Sequence, residues 1–195
     1  MEFRSVIESR RSVRSYRDRA VPEELVGSVL DAGRLAPSGG NMQPWEFVLV
    51  RGKENIRRAS AATYLGNAEA GGKTQEWLNG APVLVIVCVD WTRSVARYGE
   101  KGRRIALMDA CAAIENMLLA AVDAGLGSCW VSGFRTEELA AAFGIPAPVE
   151  PIAMLPLGYA ERVPAPPFKF ERREITHEER YGAARGEEEP MPDRR

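Results

Sequence analysis

The run Val83-Leu84-Val85-Ile86-Val87-Cys88-Val89 constrains the fold more than any other stretch of the chain. Mostly β-branched residues, with no polar alternation to leave one face in water, predict a strand buried on both sides. The shorter run of residues 45–50, again bounded by Pro, Gly and charged residues, predicts a second strand, and the two are expected to form the centre of a covered sheet.

Such a sheet needs helices over it. Pro22 opens a helical pattern in which Leu25, Val26, Val29, Leu30 and Gly33 share one face, stopping before Pro37. Residues 53–62 read as a helix, residues 64–80 as a polar, Gly-rich segment with a short helix over 75–78, and residues 90–101 as a polar connection. A long helix is expected over 103–124, carrying Ile105, Met108, Cys111, Ala112, Glu115, Leu118, Leu119 and Val122 at mostly three- and four-residue steps. A helix apolar over so much of its circumference is either central to one chain or packed against a partner. Gly125 and Gly127 are expected to end it in left-handed backbone conformations, and Trp130-Val131 to begin another strand. Thr136 is read as the cap of a helix over 137–143, whose acidic first turn suits the helix dipole. Residues 149–157 are read as a further strand, placed at an edge or given irregular ends by Pro151 and Pro156, and residues 186–195 as a loose charged tail.

This order of helices and strands predicts an α+β sandwich in a single domain over residues 1–185. It is not a Rossmann domain, since no GxGxxG fingerprint is present. The 195 residues, 45% apolar and 27% charged, are enough for one sizeable core. A net charge of −1 gives no nucleic-acid footprint. The first 19 residues carry several charges and no apolar run reaches the ~18 residues of a membrane span, so no membrane is expected and the cytoplasm is the expected compartment. Cys88, Cys111 and Cys129 lack the spacing of a zinc site and read as buried reduced thiols, and the lone His177 rules out a histidine-based triad or multi-histidine metal centre.

Two loops carry chemistry. Ala36-Pro37-Ser38-Gly39-Gly40-Asn41-Met42-Gln43-Pro44-Trp45 offers hydroxyl and amide groups beside glycines that allow close backbone approach, although such a composition also suits a plain connection. Arg10-Arg11-Ser12-Val13-Arg14 places three guanidinium groups and a hydroxyl within five residues, a phosphate-binding composition that could equally be a solvated basic turn.

Read together, the two loops resemble the FMN-binding nitroreductase family, whose Arg-Arg-Ser-x-Arg element and Pro-Ser-x-x-Asn-x-Gln-Pro-Trp loop have this order and similar spacing. The stretch Gly125-Leu126-Gly127-Ser128-Cys129-Trp130-Val131-Ser132-Gly133-Phe134 is similar to the family segment lying against the flavin, and Leu157-Gly158-Tyr159 with residues 164–169 to its C-terminal segment. The resemblance implies a nitroreductase-like α/β sandwich with a mostly antiparallel central sheet, intertwined as a homodimer with FMN at the subunit interface.

By the same resemblance, Arg10 and Ser12 contact the FMN phosphate, Arg11 acts through backbone or ribityl contacts, and Lys169 closes on the same phosphate. A further cation of some members is replaced here by Pro167, and Arg172 and Arg173 stay open between phosphate contact and solvated turn. Arg14 is implied beside the flavin pyrimidine, and Ser132 and Gly133 turn a backbone N–H toward flavin N5. Pro37, Ser38, Gly39 and Asn41 are implied to reach the flavin from the partner subunit, with Gln43 and Trp45 holding that loop, while Lys73 and Gln75 approximately match a polar position near the ring edge. The implied activity is ping-pong reduction of nitroaromatics, quinones or related electron-poor small molecules, with NADH or NADPH as donor. The rival readings are a specialised dehalogenase, enone reductase or flavin-fragmenting enzyme of the same superfamily, and a noncatalytic FMN-binding protein.

Overall fold

β2 (Val83–Asp90) has seven of its eight residues buried, and its side chains divide by parity between two cores. Val83, Val85 and Val87 pack with Val26 and Val29 of α2 (Glu23–Arg34) and with Ile114, Met117, Leu118 and Ala121 of α5 (Lys101–Asp123). Leu84, Ile86 and Cys88 pack on the opposite side with Ile56 and Ala59 of α3 (Lys53–Ala61) and Leu139 of α6 (Thr136–Phe143). A strand wetted on neither face therefore gains nothing from polar alternation, which explains the unbroken apolar run.

The computed structural model describes residues 1–66 and 72–182, and the chain divides into two compact units, Met1–Pro164 and Ala165–Arg195. In the larger unit β1 (Trp45–Arg51), β2, β3 (Gly127–Ser128) and β4 (Val149–Gly158) form one sheet in the order β1-β2-β4-β3, every neighbouring pair antiparallel. Helices on both faces make the α+β sandwich expected from the sequence. The second unit contains α7 (Arg172–Ile175), whose Glu171 and Glu174 form a reciprocal capping box. The anticipated tail over 186–195 lies outside the described residues.

Several local expectations are corrected. β1 lies at the sheet's edge, and β4 is internal despite Pro151 and Pro156. The register with β2 shifts between Val87 and Cys88, where Pro151 faces Cys88, so one proline is accommodated by an irregularity within the sheet. Residues 90–101 are not merely a connection: Asp90 accepts a hydrogen bond from Thr92 N at 3.0 Å and caps α4 (Trp91–Tyr98). Thr136 is the first helical residue of α6 rather than its cap; Arg135 holds that position, without a capping side-chain bond. Regular pairing after α5 falls on Gly127–Ser128, while Val131 makes only a lone bridge to Met154.

Gly125 takes the expected left-handed turn at φ 72°, but Gly127 does not. Its smallness serves packing instead, because a Cβ there would lie 2.9 Å from Val13 side-chain atoms.

The long helix is displaced in face as well as in bounds. Its buried residues are Gly102, Ala106, Ala110, Ala113, Ile114, Met117, Leu118 and Ala121, so the anticipated stripe shares only Leu118 with the inner face. Met108 and Leu107 are exposed at 54% and 43%. By length and composition α5 is apolar enough to cross a membrane, with an 18-residue mean hydropathy of 1.7. This qualifies the expectation from uninterrupted runs, because alanines around Asp109 and Glu115 sustain the average; here the helix packs on α2, α4 and the sheet.

Ile114 is fully buried where α5 meets the sheet. Ile114→Ala should cost about 2–5 kcal/mol through lost transfer energy and an unfilled cavity. Urea unfolding with an unchanged m-value would measure it; a loss below about 1 kcal/mol would mean that this core readily collapses.

Candidate functional site

β3 is only two residues long, and the chain from Ser12 to Val13 runs alongside it as a further fragment of sheet. Ser12 bridges Ser128 in parallel, and Val13 N donates to Ser128 O at 2.8 Å. Tyr16 Oη donates to Val13 O at 2.7 Å, so one bond ties this segment to the sheet while another fixes its own turn. The close fit of Val13 over Gly127 completes the seat.

This arrangement gathers the basic cluster. Arg10, Ser12 and Arg14 all act on Cys129: burial raises the thiol's pKa, while the Arg14 charge, a Ser12 hydrogen bond and the Arg10 charge oppose the rise. Burial also pushes the Tyr16 hydroxyl well above the ordinary tyrosine range, so both groups are neutral near pH 7. Cys88 is likewise pushed up, to about 12, chiefly by burial, and Cys111 is raised for the same reason although it is only partly buried. Cys88 and Cys129 are buried as the sequence led us to expect, whereas Cys111, expected to be buried as well, is only partly so.

The three arginines differ in what they hold. Arg11 Nη1 donates to the Glu8 and Arg10 carbonyls at 2.7 and 2.8 Å, covering the end of α1 (Phe3–Ser9), and so fixes the turn itself. Arg10 Nε lies 3.5 Å from Glu115 Oε1 on α5, in a partly exposed pair. Arg14 lies over the Trp77 ring, its Cζ 5.8 Å from the centroid.

Ser132 and Gly133 are brought to the same region by a backbone crossing. Gly133 O accepts from Tyr64 N at 2.9 Å and from Gln75 Nε2 at 3.1 Å, and Gln75 Nε2 also reaches Tyr64 O at 3.0 Å. Phe134 N donates to Ser132 O at 3.2 Å, so both carbonyls of the segment are engaged. Gln75 is buried and its amide is spent on positioning this loop, whereas Lys73 is exposed.

The 37–41 loop is held against α4 and α5. Gly39 N donates to both carboxylate oxygens of Asp109 at 3.1 Å, and Ser38 Oγ accepts from Gln43 N at 3.0 Å. Gly40, Asn41 and Gln43 have φ of 55°, 58° and 46°, so three of four consecutive residues are left-handed, a conformation that costs energy in the two with side chains. A Cβ on Gly40 would come within 2.7 Å of Arg97 and 2.6 Å of Tyr98 side-chain ends, which would have to swing aside, and φ there favours glycine. Gln43 holds the loop as anticipated, its carbonyl accepting from Arg93 Nη1 at 2.7 Å, and Trp45 is buried at the start of β1. Pro37 and Asn41 are exposed. Lys169, Arg172 and Arg173 belong to the second unit and are exposed; Arg173 Nε pairs with Glu171 at 2.9 Å.

Thus Arg10, Ser12 and Arg14 gather around Cys129, the Ser132–Gly133 loop is tied to Gln75, two residues before the Trp77 that Arg14 overlies, and the 37–41 loop packs on Asp109 of α5. Sequence reasoning missed Trp77, Ser128 and Asp109. Ser128 Oγ and Trp77 Nε1 are buried without a hydrogen-bond partner. A tryptophan two residues after Gln75, in an otherwise polar segment, was the available signal for the first; Asp109 was the one acidic residue interrupting the first half of an alanine-rich helix. Among the described residues there is no cluster of His, Cys, Asp and Glu able to hold a metal ion.

The profile of the Nitroreductase family matches residues 7–159, which include both loops and the β3 segment. A protein of Methanothermobacter thermautotrophicus bearing the name NADH dehydrogenase/NAD(P)H nitroreductase is 34% identical over 168 residues, covering 84% of this chain and 80% of its own. An FMN reductase [NAD(P)H] of Bacillus subtilis is 28% identical over 187 residues, with coverage of 88% and 71%. Among solved structures, a nitroreductase family protein of Clostridium difficile superposes with a TM-score of 0.77 at 31% identity, covering 92% of this chain and 99% of the other. Profile, sequence and fold agree over the same residues that build the site, and the chain belongs to the nitroreductase family.

Proposed function

We propose that this chain is an FMN-dependent NAD(P)H oxidoreductase of the cytoplasm, reducing nitroaromatics, quinones or related electron-poor acceptors, with residues 1–185 as its FMN-binding domain. The observation that carries the reading is the seating of Arg10, Ser12 and Arg14 beside β3, with the Ser132–Gly133 loop tied to the same neighbourhood through Gln75.

The residues fit a flavin nucleotide. Arg10, Ser12 and Arg14 converge on Cys129, so two guanidinium charges and a hydroxyl are gathered where an anionic cofactor would be held. The Arg10–Glu115 pair is partly exposed and worth about 0–1 kcal/mol at most, so a dianionic phosphate competes for the guanidinium. When bound, FMN supplies hydride acceptance from NADH or NADPH and delivery of reducing equivalents to the acceptor.

The protein's part is binding and electrostatics. Arg10 and Ser12 take the phosphate, with Arg11 locking the turn and Lys169 as a further cation by resemblance to the family. Arg14 places positive charge at the pyrimidine edge, favouring the reduced cofactor. The engaged carbonyls of Ser132 and Gly133 fix the peptide whose N–H serves N5, so no side-chain acid or base is required.

Pro37, Ser38, Gly39 and Asn41 complete the site from a second copy of the chain. This reading is supported by Leu107 and Met108 exposed on α5.

Arg10→Ala should raise the Kd for FMN about ten- to a hundredfold, the equivalent of a lost charge-assisted contact, in a titration of folded apoprotein. Affinity equal to the parent's would remove Arg10 from the phosphate site. Dilution through the dimer dissociation range should release FMN together with the partner; sedimentation of a monomer that retains stoichiometric, tightly bound FMN would sink the shared site. Anaerobic NADH or NADPH should bleach the flavin absorbance, and nitroaromatics or quinones should restore it. Restoration only by a halogenated phenol or an enone would favour a specialised enzyme, and no bleaching at all a noncatalytic flavin protein.

A further inference from the structure

Resting on the reading of Arg14 as the cation beside the flavin pyrimidine, we propose that Trp77 is the positioning residue for Arg14, an aromatic shelf that aims the guanidinium without neutralising it. Several other arginines of the larger unit are held by acids: Arg10 with Glu115, Arg51 with Glu23, Arg93 with Glu46 and Asp90, Arg135 with Glu138. Arg14 forms no ion pair among the described residues; it lies over the Trp77 ring at 5.8 Å from the centroid. The difference matters for redox chemistry. A carboxylate that oriented Arg14 would cancel most of its field at the cofactor, raising no preference for the reduced form. A π face attracts the same cation through its quadrupole and leaves the net charge intact.

Trp77 is itself fixed by packing. Its side chain joins the small cluster of Val13, Tyr16 and Ala81 and also borders the core that contains Leu78, Leu84 and Val131. The indole Nε1 is buried without a partner, so no hydrogen bond holds the ring and its faces provide the working surface. Arg14's backbone is seated by the neighbouring Val13 contacts, which leaves the long side chain as the free variable that the ring restricts.

The test is the midpoint potential of the FMN-saturated protein, read as the ratio of affinities for reduced and oxidised FMN. Arg14→Gln should lower that ratio about fivefold or more, and Trp77→Leu about two- to fivefold, with Trp77→Phe closer to the parent because a smaller π face remains. Oxidised-FMN affinity in the Trp77 variants should stay within about twofold of the parent's, since the phosphate anchors are untouched. In the Arg14→Gln background Trp77→Leu should have no further effect on the ratio. An unchanged potential in Trp77→Leu, alongside a lowered one in Arg14→Gln, would overturn the shelf while sparing the cation. Equal shifts from Trp77→Leu with and without Arg14 would also overturn it. An unchanged potential in Arg14→Gln would instead bring down the underlying reading of Arg14, and the inference with it. Should Trp77→Leu not fold, Trp77→Met, which likewise has no π face, compared in the two backgrounds applies the same criterion.

Discussion

Burial of β2 on both faces dictates where the other elements of the fold can lie. A strand with valines toward α2 and α5 and leucine, isoleucine and cysteine toward α3 and α6 can persist only as the middle of a three-layer sandwich. That requirement turns the alanines of α5 inward, where close approach to the sheet and α4 is needed, and leaves larger residues such as Leu107 and Met108 outward. The outer apolar face is thus a consequence of core geometry.

The site lies where this sheet runs out of regular pairing. β3 contributes two residues, and the Ser12–Val13 segment continues the edge with a single parallel bridge. A long strand there would have consumed the backbone groups and packed the arginines against neighbours. Ending it early keeps a basic segment on a rigid support while its side chains stay available, which is the division of labour expected of a binding loop. Arg11 is spent locally instead: its guanidinium closes the α1 terminus.

Much of this was legible because local signals and tertiary demand agreed. The apolar run of β2 and the α2 pattern ended before Pro37 each reported one environment. Legibility failed where two environments compete for one residue. The stripe through Ile105, Met108 and Cys111 is a correct helical period, yet tight packing selected the smaller alanines for the inside, and hydrophobicity alone cannot rank size against space. Pro151 and Pro156 suggested an edge strand or irregular ends; β4 is internal, and the register shift opposite Pro151 is the irregularity that admits one of them inside the sheet. Residues 90–101 looked like a loop because their polar residues obscured Asp90's cap and the buried Trp91 and Ser94 of α4. Gln75 looked like a ring-edge ligand, whereas its amide proved to be committed to the Tyr64 and Gly133 carbonyls.

That commitment bears on how the site is tuned. Gln75 fixes the loop containing Gly133, and two residues later Trp77 carries Arg14, so one short turn, Glu76–Gly80 with its preceding residue, supports elements assigned to opposite ends of the flavin's hydride chemistry. Leu78, fully buried in the same turn, pins it to the core. Electrostatic stabilisation is strongest when the groups that provide it need not reorganise as charge develops. In the proposed reading, a single packed turn beneath both the backbone donor and the cation would supply that rigidity without placing a carboxylate against Arg14.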